Sequence, residues 1–191
     1  MMKQWLHGLL VVIFMGGTPV AAEEIAGVTI PDSITIPGSK QNLLLNGAGV
    51  RYKFIFKIYI GALYLSEKEQ QAERVINSPG PKRVLMHFLY DRVVQKDLAD
   101  AWKEGFEANL SAQELSTLGP RIEQFSSLFV DAVEGDRIWI DQLPEGDTRV
   151  TINEVEQGRI RGSDFFPALL QIWLGEDPVT MDLKQAMLGI D

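Results

Sequence analysis

Arg51, Lys53, Lys57 and Tyr59 fall at alternating positions of residues 50–65, the most β-prone run of the chain, so on one strand these cations and the phenol share a face. Tyr52, Phe54, Phe56, Ile58, Ile60, Ala62 and Tyr64 would then form the opposite, core face. A bulge near Gly61 would change the parity beyond it. Cations on so apolar a strand either snorkel from an edge or face a partner of opposite charge. Arg51 is planar and always charged, so in a cleft it suits a carboxylate, phenolate or enolate held by two hydrogen bonds. The residues alone leave both readings open. Tyr90 adds another phenol at the end of a second β-prone run, residues 83–90.

Other chemistries find little support. The chain has no cysteine, which excludes thiol catalysis, disulfides and Cys-based metal sites. Of its two histidines, His7 lies in an apolar leader and His87 between apolar strand residues, where a hydrogen-bonded structural histidine is the ordinary reading. Asp131, Glu134 and Asp136, like Glu145 and Asp147, sit in turns and read as solvated surface rather than a catalytic pair. Gly47-Ala48-Gly49 lacks the third glycine and following helix of a dinucleotide loop, and Asn46 to Gly49 reads as a plain turn. No serine stands in a nucleophile elbow. No metal or cofactor is expected, and a net charge of −8 does not suit nucleic acid or anionic headgroups.

The elements that must position Arg51 alternate strands and helices. A hairpin is expected from Val28-Thr29-Ile30 and Ile34-Thr35-Ile36, then the long run 50–65, a polar helix over 67–77 and a strand over 83–90. Leu98, Trp102, Phe106 and Leu110 form the stripe of an amphipathic helix over 95–110. Ser111 and Glu114 form a capping box for a short helix, and Gly119-Pro120 opens another. Strands follow over 137–141, 148–155 and 159–161. Ser163 can cap a helix carrying Phe165 to Trp173, and a last helix covers 181–188. Strands at both ends with helices between and after them imply an α+β fold, an antiparallel sheet with helices packed on one face.

Residues 1–22 read as a cleavable export signal. Lys3 precedes an apolar core, Gly16 to Pro19 would end a helix, and Val20 and Ala22 fit a signal peptidase, placing the cut between Ala22 and Glu23. The apolar run is far short of the roughly 20 residues that span a bilayer. Residues 23–191 would then be one periplasmic or secreted domain without a transmembrane segment.

Gly47-Ala48-Gly49-Val50-Arg51, followed by Lys57-Ile58-Tyr59-Ile60-Gly61-Ala62-Leu63-Tyr64-Leu65, resembles the arginine turn and paired-strand signature of the chalcone isomerase family. Tyr90, Asp97 and Trp102-Lys103 are spaced like the tyrosine, asparagine and Trp-Lys of the plant enzymes. Gly135-Asp136, Leu143-Pro144, Asn153 and Gly158, ahead of the Phe165 to Trp173 helix, resemble the exported bacterial chalcone isomerase-like branch. The resemblance implies an open-faced sandwich, a large antiparallel β-sheet covered on one face by a layer of α-helices, with a ligand cleft between them. It also implies that Arg51 matches the arginine that steadies a phenolate as it adds to an enone, an electrostatic task needing no histidine or cysteine.

The departures point away from catalysis. Tyr59 stands where the plant enzymes carry a threonine, and its ring would fill substrate space. Asp97 replaces an asparagine with a negative charge, and the late-helix hydroxyl has no counterpart around Phe165-Phe166-Pro167. Non-catalytic members of the fold bind fatty acids, with the matching arginine and tyrosine on the carboxylate. The expectation is thus an exported binder of a small amphipathic anion such as a fatty acid, with Arg51, Tyr59, Tyr90 and Asp97 as ligand-binding candidates. The first alternative is an intramolecular lyase of the chalcone-flavanone isomerase type using Arg51 and Tyr90. The second is a structural or interaction protein of the envelope, with Trp139, Trp173 and the acidic surface facing a partner.

Overall fold

The computed structural model describes residues 22–37 and 41–190. The export signal, apart from Ala22 itself, lies outside them. The chain runs β1 (Ala22–Ile25), β2 (Val28–Pro31), β3 (Ser33–Thr35), β4 (Asn42–Lys53), β5 (Phe56–Leu65), α1 (Ala72–Asn77), β6 (Lys82–Phe88) and β7 (Arg92–Val93). It continues α2 (Gln95–Asn109), α3 (Ala112–Ser127), β8 (Ala132–Val133), β9 (Arg137–Gln142), β10 (Thr148–Ile152), β11 (Val155–Ile160), α4 (Phe165–Leu174) and α5 (Met181–Met187). A seven-stranded antiparallel sheet of order β11-β10-β9-β6-β5-β4-β3 carries the helices on one face, as the sequence implies. The other face is partly covered by the β1-β2 hairpin, whose Ile30 packs with Leu43, Ile60, Tyr64 and Leu85.

The run 50–65 is two strands, not one. β4 turns into β5 at Phe54-Ile55, with Lys53 paired to Phe56 and Phe54 at φ 57°. No Gly, Asn or Pro marks this turn, so the β-propensity of its residues hid it. The run 148–155 is also two strands, breaking between β10 and β11 at Asn153-Glu154, both with positive φ, where Asn153 is a turn residue that the β-propensity around it outweighed. The two halves of the expected first hairpin also separate: β2 pairs with β1, while β3 joins the main sheet beside β4.

Helix boundaries moved for identifiable reasons. α1 keeps only the end of the span 67–77, because the chain before it is tied down by Asn46, whose side chain exchanges hydrogen bonds with the Glu69 backbone at 2.8 and 2.9 Å. α3 passes straight through Gly119-Pro120. Pro120 removes one donor, but Ser116 and Pro120 are both exposed, so water can satisfy the freed carbonyl. Asp164 rather than Ser163 is the N-cap of α4, and Arg121 of α3 grips its carboxylate with two hydrogen bonds of 2.6 and 2.7 Å.

Gly47-Ala48-Gly49 is not a turn but the middle of β4, made flat so that α5 can lie on it. A Cβ at Gly47 would stand 2.0 Å from the Ala186 carbonyl oxygen, and one at Gly49 would stand 2.5 Å from the Ala186 Cβ. On the opposite sheet face Asp141, fully buried, accepts from Arg83 and Arg149, and the Arg83 guanidinium lies 4.5 Å from the Trp139 ring centroid. Gly49→Ala should therefore cost about 1–3 kcal/mol in urea unfolding through overpacking. Gly119→Ala, on a helix with open space at its Cβ, should gain up to about 1 kcal/mol. Equal stability of the two variants would contradict this packing.

Candidate functional site

Arg51 sits opposite Tyr59 in the β4-β5 pair, and Tyr59 opposite Phe88 in the β5-β6 pair, which puts all of them on the face beneath the helices. The sequence periodicity correctly grouped Arg51 with Tyr59, but their face is the one packed beneath the helices, while Ile60, Ala62 and Tyr64 on the opposite face are buried as expected, in the cluster with Ile30. The register shifts just beyond this pair, where Tyr52 faces Lys57 and leaves Ile58 as the extra residue. The bulge turns Ile58 into the helix-side core, and the two-residue turn beyond it puts Lys57, paired with Tyr52, and Lys53, paired with Phe56, on opposite faces. It lies at Ile58 instead of near Gly61.

Tyr59 is buried, and its hydroxyl accepts a 3.0 Å hydrogen bond from Trp173 Nε1 on α4. The Arg51 guanidinium carbon lies 5.6 Å from the Tyr59 ring centroid, and the Trp173 ring meets Trp102 of α2 edge-on at 5.7 Å. Burial pushes the Tyr59 phenol up, outweighing the Arg51 charge and the Trp173 donor that pull it down. It therefore keeps its proton, and that proton has no acceptor among the described residues.

Arg51 Nε and Trp102 Nε1 are also shut from solvent with no hydrogen-bond partner. No carboxylate pairs with Arg51 among the described residues. Arg51, Tyr59 and Trp102 thus bring unused donors to one aromatic layer between sheet and helices. Such groups are complementary to an anion and costly to leave unmade.

The remaining candidates are spread more widely. Tyr90 follows β6, its backbone N–H bonded to the Ile58 carbonyl, and its ring packs edge-on against Phe56 at 5.7 Å. It flanks β5 on the side opposite Arg51 and is partly exposed. Asp97 is exposed in the first turn of α2, beside Lys96, with no hydrogen bond or ion pair to Arg51, Tyr59 or Tyr90. His87 is half-buried on the other sheet face, and burial and then Arg137 depress its basicity, so it stays neutral. Asp131 and Asp136 bind Arg92 and Asn153 and serve as loop ties.

Trp173 is 1% exposed, which corrects the expectation that it faces a partner, while Trp139 is half-buried with the Arg83 guanidinium over its ring. What sequence reasoning missed is the Trp173 indole, whose N–H donates to the Tyr59 hydroxyl, and the neighbouring Trp102 indole, whose buried N–H has no partner among the described residues. Their places on the apolar stripes of two helices were the available clue, but only the tertiary packing shows where the indole N–H groups aim.

Neither of the described clefts opens on Arg51. One, about 650 Å³, lies between Leu65, Arg74, Pro79 and Lys82; the other, about 390 Å³, lies between Asn46, Gly47, Asp182 and Gly189. Lys82 is buried there with its pKa lowered to about 8 by desolvation, and its Nζ donates to Ser78 O and Gln142 Oε1. Those neutral acceptors make it a structural lysine. No group of acidic or histidine side chains among the described residues could hold a metal.

The family described as chalcone isomerase-like matches residues 22–189. Among solved structures, a fatty-acid binding protein of Arabidopsis thaliana superposes with a TM-score of 0.70 at 15% identity, covering 88% of this chain and 95% of that one. At that identity the likeness is one of fold. No curated protein matches the sequence.

Trp173→Phe removes the donor to Tyr59 and should destabilise the protein by about 1–3 kcal/mol in urea unfolding. Tyr59→Phe, which orphans the indole N–H, should cost a similar amount. A double variant much less destabilised than the sum of the two would confirm the pair, and strict additivity would contradict it.

Proposed function

The chain belongs to the chalcone isomerase-like family, and from that premise we propose that it is a non-catalytic binder of a small amphipathic anion, a fatty acid in the first instance. The observation that carries this reading is the buried Arg51 Nε without an acceptor, beside the Tyr59 hydroxyl with an undonated proton. A carboxylate can take both at once, with charge-assisted bonds of about 2.7–2.9 Å from the guanidinium. The acyl chain would enter the aromatic layer of Phe88, Trp102 and Trp173 by moving side chains, since the described clefts lie elsewhere. The family relation, and a neighbour of the same fold whose name states fatty-acid binding, support the same ligand class.

A binder asks less of this site than a catalyst. Tyr59 is locked to Trp173 and packed on Phe88, which supports the view that it fills the space a bulky aromatic substrate would need. A fold does not carry an activity with it, so the lyase reading rests on Arg51 with Tyr90. Tyr90 and Asp97 are proposed as outer contacts at the mouth of the site. Export, with a mature chain beginning at Glu23, is part of the proposal and rests on the sequence of residues 1–22.

Native mass spectrometry of protein recovered from cells should show a chain beginning at Glu23 with a bound species of fatty-acid mass. Calorimetry with a long-chain fatty acid should give saturable binding that Arg51→Gln weakens by roughly 10- to 100-fold, the equivalent of one lost charge-assisted hydrogen bond. No bound species and no heat of binding would reject the proposal. Chalcone cyclisation faster than the spontaneous rate, and lost in Arg51→Ala, would establish the lyase instead.

A further inference from the structure

The apex of the β4-β5 hairpin is built against the ordinary rules for a solvent-exposed turn. Phe54 is 90% exposed and Ile55 84% exposed, and behind them Phe56 and Tyr52 are about half exposed. A short loop whose first residue has positive φ usually places Gly or Asn there, yet this one holds Phe54 at φ 57°. The fold thus keeps a strained aromatic residue at its most protruding point, where a small polar one would fit better and dissolve better. Local rules broken in this way are expected at functional positions.

The surrounding charges add direction. Lys53 pairs with Phe56 and Lys57 with Tyr52, two successive pairs across the two-residue turn, so one lysine stands on each face of the hairpin just behind its apolar tip. Both are exposed, and neither forms an ion pair among the described residues, although the whole chain carries a net charge of −8. A basic collar around an apolar apex matches a bilayer surface. The rings and Ile55 can enter the boundary between headgroups and acyl chains, about 5–10 Å deep, while the lysines meet phosphates on both sides.

A folded protein fits this apex less well. Aromatic side chains bury roughly 150–250 Å² each, and two full and two half side chains fall short of the about 800 Å² per partner of a stable protein interface. We propose that the Phe54-Ile55 hairpin tip docks the protein on membranes containing anionic lipid. Arg51 lies only a few residues behind the tip on β4, so docking would hold the mouth of the carboxylate site at the lipid surface. The inference itself rests on the tip and not on what Arg51 binds.

The test is co-sedimentation with phosphatidylcholine vesicles containing phosphatidylglycerol, and with phosphatidylcholine alone. The protein should partition onto the anionic vesicles and less onto the neutral ones, with binding that weakens as salt rises. Combining Phe54→Gly with Ile55→Ser should lower the partition by about tenfold or more. Lys53→Gln with Lys57→Gln should abolish the preference for anionic lipid. Phe54→Gly relieves the backbone strain, so its melting temperature should equal or exceed the parent's while its vesicle binding falls, which separates docking from folding. None of the tip variants should change the affinity for soluble fatty acid. Absence of vesicle binding, binding that survives loss of Phe54 and Ile55, or a dimer that depends on them without lipid, would each overturn the proposal.

Discussion

A guanidinium N–H shut away from water without an acceptor is the constraint around which this molecule is organised. Leaving such a donor unmade costs on the order of a few kcal/mol, and Arg51 bears that cost at the edge of a core otherwise closed by aromatic rings. Several elements conspire to keep it there. β4 presents Arg51 opposite Tyr59, β6 backs Tyr59 with Phe88, and α4 reaches down to the Tyr59 hydroxyl with Trp173. The hydrogen bond between sheet and helix fixes the phenol's oxygen as an acceptor toward Trp173 and leaves its proton pointing elsewhere. Burial keeps that proton in place. The site is therefore a set of donors held ready by packing, not a set of titrating groups.

The remainder of the fold holds the two layers in register. The flat glycine stretch of β4 lets α5 approach its backbone, and Asn46 ties both the Glu69 loop and the end of α5 to the sheet through Glu69 O and Met187 O. On the far face the buried Asp141 between Arg83 and Arg149 joins β6, β9 and β10, with Arg149 also bonded to the Pro37 carbonyl. Buried charges of this kind are poor sources of stability, but removing one partner leaves the others uncompensated. Their satisfied geometry contrasts with Arg51. Arg83 and Arg149 have a carboxylate; among the described residues Arg51 has none.

The architecture was legible in the sequence because periodicity and caps reported it locally. The Leu98-Trp102-Phe106 stripe gave α2, the Ser111-Glu114 box is present at the start of α3, and Phe165 to Trp173 gave a buried α4. What escaped was decided by tertiary contacts. Phe54-Ile55 and Asn153-Glu154 reverse the chain where propensity read one strand, and the glycines that suggested a turn instead serve helix packing. Arg51 and Tyr59 share a face as alternation suggests because two departures cancel: the turn at Phe54-Ile55 inverts the parity and the extra residue at Ile58 restores it. The donors of Trp102 and Trp173 could not be found in that way, because their direction depends on how α2 and α4 pack onto the sheet.

The central claim is that Arg51 Nε and the Tyr59 hydroxyl await the same anion. A crystal structure of the protein with a bound long-chain fatty acid tests it most directly. The account predicts a carboxylate about 2.7–3.0 Å from Arg51 Nε and within hydrogen-bond reach of the Tyr59 oxygen, with the acyl chain between sheet and helices. A fatty acid seated in the Lys82 cleft, with Arg51 Nε still lacking an acceptor, would contradict it.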